Sequence, residues 1–243
     1  MSSLLQSTSE KLQIYIIHKN PSTFKKFEKK IYNNFSNCTL KKIKFKYNIK
    51  NYPNLKKSHV SEATYYRLFI ADHIDDDIDY ITYLDADTYI LKSPIQKINK
   101  HINIMKDSGK ILTALTTNKY EDLETKDMFE RLGIDKKYFN GGVMVIDLVN
   151  WKKQKITDKF ITVKNTLLEK IVYWDQDILN RYFDGEYENL DKNLNYLVNL
   201  SLDKKIKEEI LIFHFVGKDK PWNVDMTDND FKNFYDNLYK HYL

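Results

Sequence analysis

The chain has 243 residues, a hydrophobic content of 42%, a formal net charge of +5 and a pI near 8.9. These values suit one globular domain with a substantial core, so we expect residues 1–243 to form a single domain that binds no nucleic acid. The single cysteine, Cys38, excludes an internal disulfide and a cysteine-rich metal cage, and no apolar run is long enough to span a membrane. Since no signal peptide is recognisable either, we expect a cytoplasmic protein.

Hydrophobic periodicity predicts strands and helices that alternate along the chain. Strands are expected at 12–17, 40–47, a stretch ending at Asp85, 111–115, 143–148 and 211–215. Helices are expected after Asn20-Pro21, from a Ser61 cap to about residue 71, and over 156–168 and 175–183. Such alternation favours an α/β fold with a mainly parallel central sheet and helices on both faces.

Positive charge is concentrated near the start of the chain. From Lys19 to Val60 there are twelve lysines and one acidic residue, Glu28. The simpler interpretation is a solvated face. The alternative is attraction to an anionic membrane surface or acceptor, to which aromatic residues near the C-terminus would contribute: Phe231, Phe234, Tyr235, Tyr239 and Tyr242. We therefore expect peripheral contact at the inner face of a membrane.

The most informative motif is Asp85-Ala86-Asp87, which follows the apolar strand ending at Leu84. Residues two apart in a strand point to the same face, so the two carboxylates are expected to converge. Convergent carboxylates suit a hard divalent cation, which could in turn hold a diphosphate. Asp-x-Asp occurs five times in this chain and is usually a solvated loop feature. Its position at a strand end sets this pair apart, because open α/β sheets bind ligands there.

Neither of the common glycine-rich nucleotide-binding motifs is present. The sequence contains no Gly-x-Gly-x-x-Gly and no Gly-x-x-x-x-Gly-Lys-Ser/Thr. If a nucleotide binds, a metal ion and side chains must therefore hold its phosphates.

Three further segments combine polar side chains with glycine or aromatic residues. Asn140-Gly141-Gly142 opens an apolar strand, and glycines there permit close approach of a ligand, although an ordinary turn is an alternative. Asp175-Gln176-Asp177 begins a helix and is either an N-cap or a polar site. His214, Gly217 and Lys220 follow one another in a late segment, where the histidine is either a core residue or a metal ligand and the lysine suits phosphate.

In this order the segments resemble glycosyltransferase family 8, retaining enzymes that include bacterial lipopolysaccharide and lipooligosaccharide galactosyl- and glucosyltransferases. The resemblance covers nearly the whole chain. Its landmarks are Thr64-Tyr65-Tyr66-Arg67-Leu68, Tyr83 to Thr88, Phe139 to Val143 with Trp151, Asp175 to Asn180, His214 to Gly217, and Lys220-Pro221-Trp222.

The resemblance implies a GT-A fold and a UDP-linked galactose or glucose donor, with a glycan or lipid-linked glycan as acceptor. It implies Mn²⁺, with Mg²⁺ as an alternative, bound by Asp85, Asp87 and His214. The implied donor-binding residues are Arg67, Asp85, Ala86, Asp87, Asn140, Gly141, Gly217 and Lys220. Gln176 and Asp175 take the catalytic positions beside the transferred sugar, and a displacement on one face of the sugar would retain its configuration.

Two departures from the family pattern produce expectations of their own. The family often has an acidic residue after the strand that here ends Thr116-Thr117, and we expect the loss of that residue to alter sugar selectivity. The segment from Met1 to Ser7 resembles the tail of the family's first helix, so we expect this chain to lack the first strand and to show a gap in its central sheet. A late-assigned start codon and a decayed or split gene are both compatible with that expectation.

Two other functions remain open from the sequence. Asp85-Ala86-Asp87 also resembles the motif of haloacid-dehalogenase-type phosphatases, but those enzymes want Thr or Val where Tyr89 stands. The chain could also be an inactive or truncated relative that binds a sugar or a partner protein. Hydrolysis of a UDP-sugar without acceptor would separate an active enzyme from such a relative.

Overall fold

The computed structural model describes residues 1–53, 61–225 and 228–242, with the side chain of residue 242 excepted. Its α-helices are α1 (Ser2–Ser7), α2 (Lys25–Asn34), α3 (Ile95–Ser108), α4 (Lys126–Leu132), α5 (Leu148–Lys153), α6 (Ile156–Leu167), α7 (Trp174–Phe183) and α8 (Asp230–Tyr242). Its strands are β1 (Leu12–His18), β2 (Cys38–Lys44), β3 (Tyr80–Leu84), β4 (Thr88–Ile90), β5 (Leu112–Lys119), β6 (Lys137–Asp147), β7 (Glu188–Asn189), β8 (Tyr196–Val198) and β9 (Ile212–Phe215). Short 3-10 helices lie at Pro21–Phe24, Glu62–Asp72, Leu123–Thr125, Leu168–Lys170 and Lys192–Leu194.

The strands form three sheets, in the orders β1-β2, β3-β6-β5-β7 and β4-β9-β8. Strands β1 and β2, β5 and β7, and β8 and β9 are parallel, whereas β6 is antiparallel to both β3 and β5, and β4 is antiparallel to β9. The prediction of a mainly parallel sheet is therefore wrong. A strand, helix and strand in sequence can form a parallel crossover or an antiparallel return. Here the connection through α4 is a return, so β6 lies beside β5 in the opposite direction.

The centre of the fold is interrupted between β1 and β3. Among the described residues, β1 pairs only with β2, and β3 pairs only with β6. Residues of β3 and most of β1 are half-buried, whereas β6 is almost entirely buried. The gap expected from the sequence is therefore present, and within the described ranges the backbone groups on the open edges of these strands have no strand partner.

Strand β6 runs through the main core and carries the segments that form the site. Its residues Phe139, Met144 and Ile146 pack with Phe69 of the Glu62–Asp72 helix and Ile178 of α7. This packing holds α7 and the 3-10 helix beside β6. Side chains at the ends of these elements therefore meet near Asn140–Gly142.

The structure corrects several local predictions. The segment after Ser61 is a 3-10 helix, and the Ser61 side chain makes no capping hydrogen bond. Gly141 and Gly142 lie inside β6 and do not precede it. Part of the lysine-rich segment, residues 54–60, lies outside the described residues. No helix in the described part of the chain has the length and apolar content needed to cross a bilayer.

Candidate metal centre and surrounding polar site

Asp85, Asp87 and His214 meet although they are distant in sequence. Asp85 and Asp87 lie in the connection between β3 and β4, and β4 pairs with β9 so that Thr88 stands opposite His214. One ligand atom from each of the three residues lies within 4.8 Å of the other two. Two carboxylates and an imidazole form a mixed oxygen and nitrogen set that fits Mn²⁺, and less closely Mg²⁺.

In each aspartate one carboxylate oxygen pairs with a basic side chain, Lys220 or Arg67, and the other oxygen faces His214. Asp87 Oδ2 lies 2.6 Å from Lys220 Nζ, and Asp87 Oδ1 lies 3.2 Å from His214 Nε2. Asp85 Oδ1 lies 3.4 Å from Arg67 Nη2, and Asp85 Oδ2 lies 3.7 Å from His214 Nε2. The oxygens near Nε2 thus remain available to a metal ion.

The pKa of Asp87 is lowered by its neighbours. Burial disfavours the carboxylate, but the contacts with His214 and Lys220 outweigh burial and hold the Asp87 pKa below its usual range. Asp87 is therefore ionised at neutral pH, as a metal ligand must be.

Arg67 connects the metal centre to α7. Its Nε lies 2.6 Å from Asp175 Oδ2, and its Nη1 donates to the Gly141 carbonyl oxygen at 2.6 Å. The guanidinium also lies 4.8 Å from the ring centroid of Tyr83, whose hydroxyl donates to Asp85 at 2.6 Å. Arg67 therefore holds Asp85, Asp175 and the backbone of β6 in one arrangement.

Asp175 is enclosed by this network. Its side chain is 2% exposed, and its other oxygen accepts a hydrogen bond from the Thr64 hydroxyl. Burial raises the pKa of Asp175 to about 6, although Arg67 and Thr64 act in the opposite direction. In this arrangement both carboxylate oxygens point to Arg67 and Thr64, so Asp175 primarily fixes the arginine.

Gln176 is held by two hydrogen bonds at the start of α7. Its Oε1 accepts from the Gly141 amide at 3.0 Å, and its Nε2 donates to the Tyr138 hydroxyl at 3.2 Å. Tyr138 in turn donates to Asp177 Oδ1 at 2.9 Å. Asp177 thus acts on the site through Tyr138 and not by direct contact.

A second set of amide contacts surrounds His214. Asn140 Oδ1 accepts from the Gly142 amide and from Asn195 Nδ2, both at 2.9 Å. Asn195 Oδ1 lies 3.1 Å from His214 Nδ1. A Cβ atom at Gly142 would lie 2.1 Å from His214 Cε1, so the imidazole occupies space that only glycine leaves open.

The two remaining predicted donor-site residues lie at the edges of this cluster. Ala86 is exposed between the two aspartates. Gly217 follows β9 with φ +76°, a left-handed conformation that favours glycine. Lys220 also donates to the carbonyl oxygen of Phe215, which holds the turn after β9 against Asp87.

Four contributors had no role in the site predicted from the sequence, although two of them lie in the family landmarks: Thr64, Tyr83, Tyr138 and Asn195. Tyr83 lies two residues before Asp85, and Tyr138 two before Asn140, so strand periodicity could have placed both near the site. Thr64 lies three residues before Arg67, within one helical turn. Asn195 has no such local signal, because only the packing of β8 beside β9 brings it to His214.

Comparisons with known proteins find a matching family model and several similar proteins. The family model for "Glycosyl transferase family 8" matches residues 1–225. "General stress protein A" of Bacillus subtilis is 29% identical over 207 residues, covering 78% of this chain and 67% of that protein. "Lipopolysaccharide 1,3-galactosyltransferase" of Salmonella typhimurium is 28% identical over 184 residues, covering 72% of this chain. The chain spans 53% of that enzyme's length and about half of several other curated relatives.

Among solved structures, an active-site mutant of LgtC superposes with a TM-score of 0.76 at 19% identity, covering 98% of this chain and 88% of that one. Galactosyltransferase LgtC in complex with donor and acceptor sugar analogs superposes with a TM-score of 0.70, also at 19% identity, with coverages of 94% and 96%. These superpositions confirm the predicted GT-A fold.

Proposed function

Because this chain belongs to glycosyl transferase family 8, we propose that it transfers galactose or glucose from a UDP-linked donor to a glycan acceptor. The acceptor belongs to lipopolysaccharide, lipooligosaccharide or another surface glycan, carried in some cases on a lipid. The observation that carries the proposal is the convergence of Asp85, Asp87 and His214 beside Lys220. Such a centre suits a nucleotide diphosphate, and the sequence offers no glycine-rich phosphate loop as an alternative.

A divalent metal ion, Mn²⁺ or Mg²⁺, would be held by Asp85, Asp87 and His214. When bound, it would supply positive charge against the diphosphate that leaves the sugar. Lys220 Nζ, 2.6 Å from Asp87 Oδ2, is in position to bind a phosphate oxygen next to that carboxylate. Lys220 would thereby stabilise the negative charge of the leaving group.

The transferred sugar would lie against Asn140, Gly141 and Gln176, with Arg67 and Asp175 behind them. Arg67 and Gln176 both bind the backbone of Gly141, so this surface is fixed before the donor arrives. Asn140 Oδ1 already accepts two hydrogen bonds, which leaves its Nδ2 to donate to a sugar hydroxyl.

Retention follows in this proposal from attack on the face of the sugar that the diphosphate leaves. Both oxygens of Asp175 are engaged by Arg67 and Thr64, and Gln176 is an amide. Neither residue is therefore arranged as an obvious covalent nucleophile. The departing phosphate oxygen can accept the proton of the acceptor hydroxyl, so the reaction needs no separate base.

The competing functions have less support. Family membership argues against a haloacid-dehalogenase-type phosphatase. A relative that only binds sugar or a partner would have no need of the complete ligand set at Asp85, Asp87 and His214. We propose that residues 1–243 form one catalytic domain.

The test compares Asp87→Asn with the unchanged protein. We expect Asp87→Asn to lower Mn²⁺-dependent UDP release from UDP-galactose and UDP-glucose by roughly 100-fold or more, because a ligand charge is lost. Asp76→Asn is the matched control, since the Asp76 side chain is 97% exposed and pairs with Lys152 at the surface. NMR of the product would identify the anomer. Full turnover in excess chelator, or by Asp87→Asn, would contradict the proposal.

We also propose peripheral contact with an anionic membrane surface. Exposed aromatics on α8, Phe234 and Tyr239, lie on a helix that contacts α2, where Lys25 and Lys26 are exposed. Phe231 does not contribute, because it is fully buried in the core, and Tyr235 packs partly against the same cluster. The predicted aromatic surface is thus smaller than the sequence indicated.

A further inference from the structure

We propose that Asn195 is a positioning residue that fixes the tautomer of His214 and keeps the Nε2 lone pair directed at the metal centre. Asn195 lies immediately before β8 and is fully buried, and His214 is 4% exposed. The functional role of this arrangement rests on the proposed metal-dependent transfer, but the tautomer of His214 can be measured in the protein without metal or substrate.

The backbone amide of Gly142 determines which atom of the Asn140 side chain is the oxygen. The Gly142 amide can only donate, and it points to the Asn140 side chain at 2.9 Å, so the Asn140 atom facing it is the carbonyl oxygen Oδ1. The same oxygen lies 2.9 Å from the Asn195 side chain. The Asn195 atom that faces Asn140 must therefore be the donor, Nδ2.

The remaining atom of the Asn195 amide is then its oxygen. Asn195 Oδ1 lies 3.1 Å from His214 Nδ1, and an amide oxygen only accepts. His214 Nδ1 must therefore carry the proton. In a neutral imidazole this leaves Nε2 unprotonated, which is the form that binds a metal ion.

In this tautomer the lone pair of Nε2 faces the candidate metal centre. Nε2 lies 3.2 Å from Asp87 Oδ1 and 3.7 Å from Asp85 Oδ2, on the side of the ring away from Asn195. Without Asn195, the more favourable neutral tautomer would place the proton on Nε2, because Asp87 Oδ1 is an acceptor within reach. Asn195 thus opposes the tautomer that would block the metal centre.

The surrounding fold keeps the two side chains in register. Strand β8 pairs in parallel with β9, and Leu197 stands opposite His214. Gly142 makes room for the imidazole on its other side, since any Cβ there would overlap the ring. The ring is therefore packed between Asn195 and the backbone of β6.

Histidine nitrogen NMR on isotope-labelled, metal-free protein in weakly alkaline buffer is the direct test. We expect His214 to show a protonated Nδ1 and an unprotonated Nε2 in the unchanged protein. In Asn195→Leu, which removes the acceptor at similar volume, we expect the Nε2-protonated form to dominate and Mn²⁺ affinity to fall by about 10- to 100-fold. Asn195→Asp keeps an acceptor for Nδ1, so it should retain the original tautomer.

Asn229→Leu is the control for loss of a buried amide elsewhere, because Asn229 is 1% exposed, donates to the backbone oxygens of Leu200 and Asp203, and accepts from the Lys232 amide. It should leave the His214 tautomer and Mn²⁺ affinity unchanged. An Nε2-protonated His214 in the unchanged protein would overturn the inference, even if Asn195→Leu failed to fold. Equal tautomers in the unchanged protein and Asn195→Leu would also overturn it. Failure of UDP-sugar turnover alone would count against the proposed function and leave the tautomer assignment standing.

Discussion

At the scale of single residues, the metal centre depends on how close side chains approach the backbone of β6. His214 Cε1 lies 2.1 Å from the position that a Cβ on residue 142 would occupy. We expect Gly142→Ala to displace the ring, lower Mn²⁺ affinity by about 10-fold or more and destabilise the protein by about 1–3 kcal/mol. Titration calorimetry and urea unfolding would measure both effects.

Gly141→Ala provides the matched comparison at the neighbouring position. Its added Cβ would lie 3.2 Å from Arg67 Nη1, a tight contact with the end of a side chain. We expect a smaller loss of stability and of Mn²⁺ affinity than at Gly142. The prediction fails if the two variants lose Mn²⁺ to the same extent.

Asp175 should make stability depend on pH in the direction opposite to most carboxylates. Its pKa rises from 3.8 to about 6 on folding, mainly because burial disfavours the charge. A raised carboxyl pKa contributes stability that is present below pH 3.8 and is lost as the pH rises through about 6. Relative to Asp175→Asn, the unchanged protein should therefore lose on the order of 3 kcal/mol or less between these limits. Urea unfolding across that pH range measures the difference, and a flat difference would refute it.

At the scale of secondary-structure elements, Asp177 fixes the start of α7. Its fully buried carboxylate accepts from the Val172 and Tyr173 amides at 2.8 and 2.9 Å and pairs with Arg131 at 2.8 Å. Removing the carboxylate leaves these donors without their partner. We expect Asp177→Ala to destabilise the protein by about 3–5 kcal/mol in urea unfolding.

Asp76→Ala is the comparison for that measurement. The Asp76 carboxylate is 97% exposed, and its ion pair with Lys152 lies at the surface. We expect a change within about 0.5 kcal/mol, because exposed ion pairs contribute little. Similar losses in the two aspartate variants would show that Asp177 is not the anchor of α7.

The sequence predicted the existence of most elements better than their directions or exact types. Strands β1, β3 and β9 and helices α6 and α7 lie within about two residues of their expected positions, because each has a clear hydrophobic period. The direction of β6 depends on how the connection through α4 packs, and hydrophobic periodicity carries no information about that packing. For the same reason, Asp85, Asp87 and His214 stood out as motif residues, whereas Asn195 became visible only through the contact of β8 with β9.

At the scale of the whole molecule, side-chain packing joins the parts that no continuous sheet connects. Leu5 of α1 packs with Ile31 and Leu40 on the β1-β2 side. Ser3 of the same helix accepts a hydrogen bond from the Ile90 amide of β4 at 3.1 Å. Helix α1 therefore bridges the β1-β2 sheet and the sheet that carries His214.

The surface formed by α2 and α8 leads to a prediction about membranes. We expect the protein to float with anionic vesicles at low ionic strength and to be released by added salt, because lysines at a membrane surface contribute about 1 kcal/mol each. Lys25→Glu combined with Lys26→Glu should weaken binding. The exposed pair Lys153→Glu and Lys170→Glu, outside both α2 and α8, is the control. Absence of binding at low salt would rule the proposal out.

The close fit of His214 against Gly142 also has a genetic consequence. A glycine codon can mutate by a single base only to another glycine codon, a stop codon, or a codon whose amino acid carries a Cβ. Each missense change at position 142 therefore introduces an atom into the volume of the imidazole. In a gene library selected for activity, we therefore expect only synonymous changes at codon 142, because the His214 ring leaves no room for a side chain there.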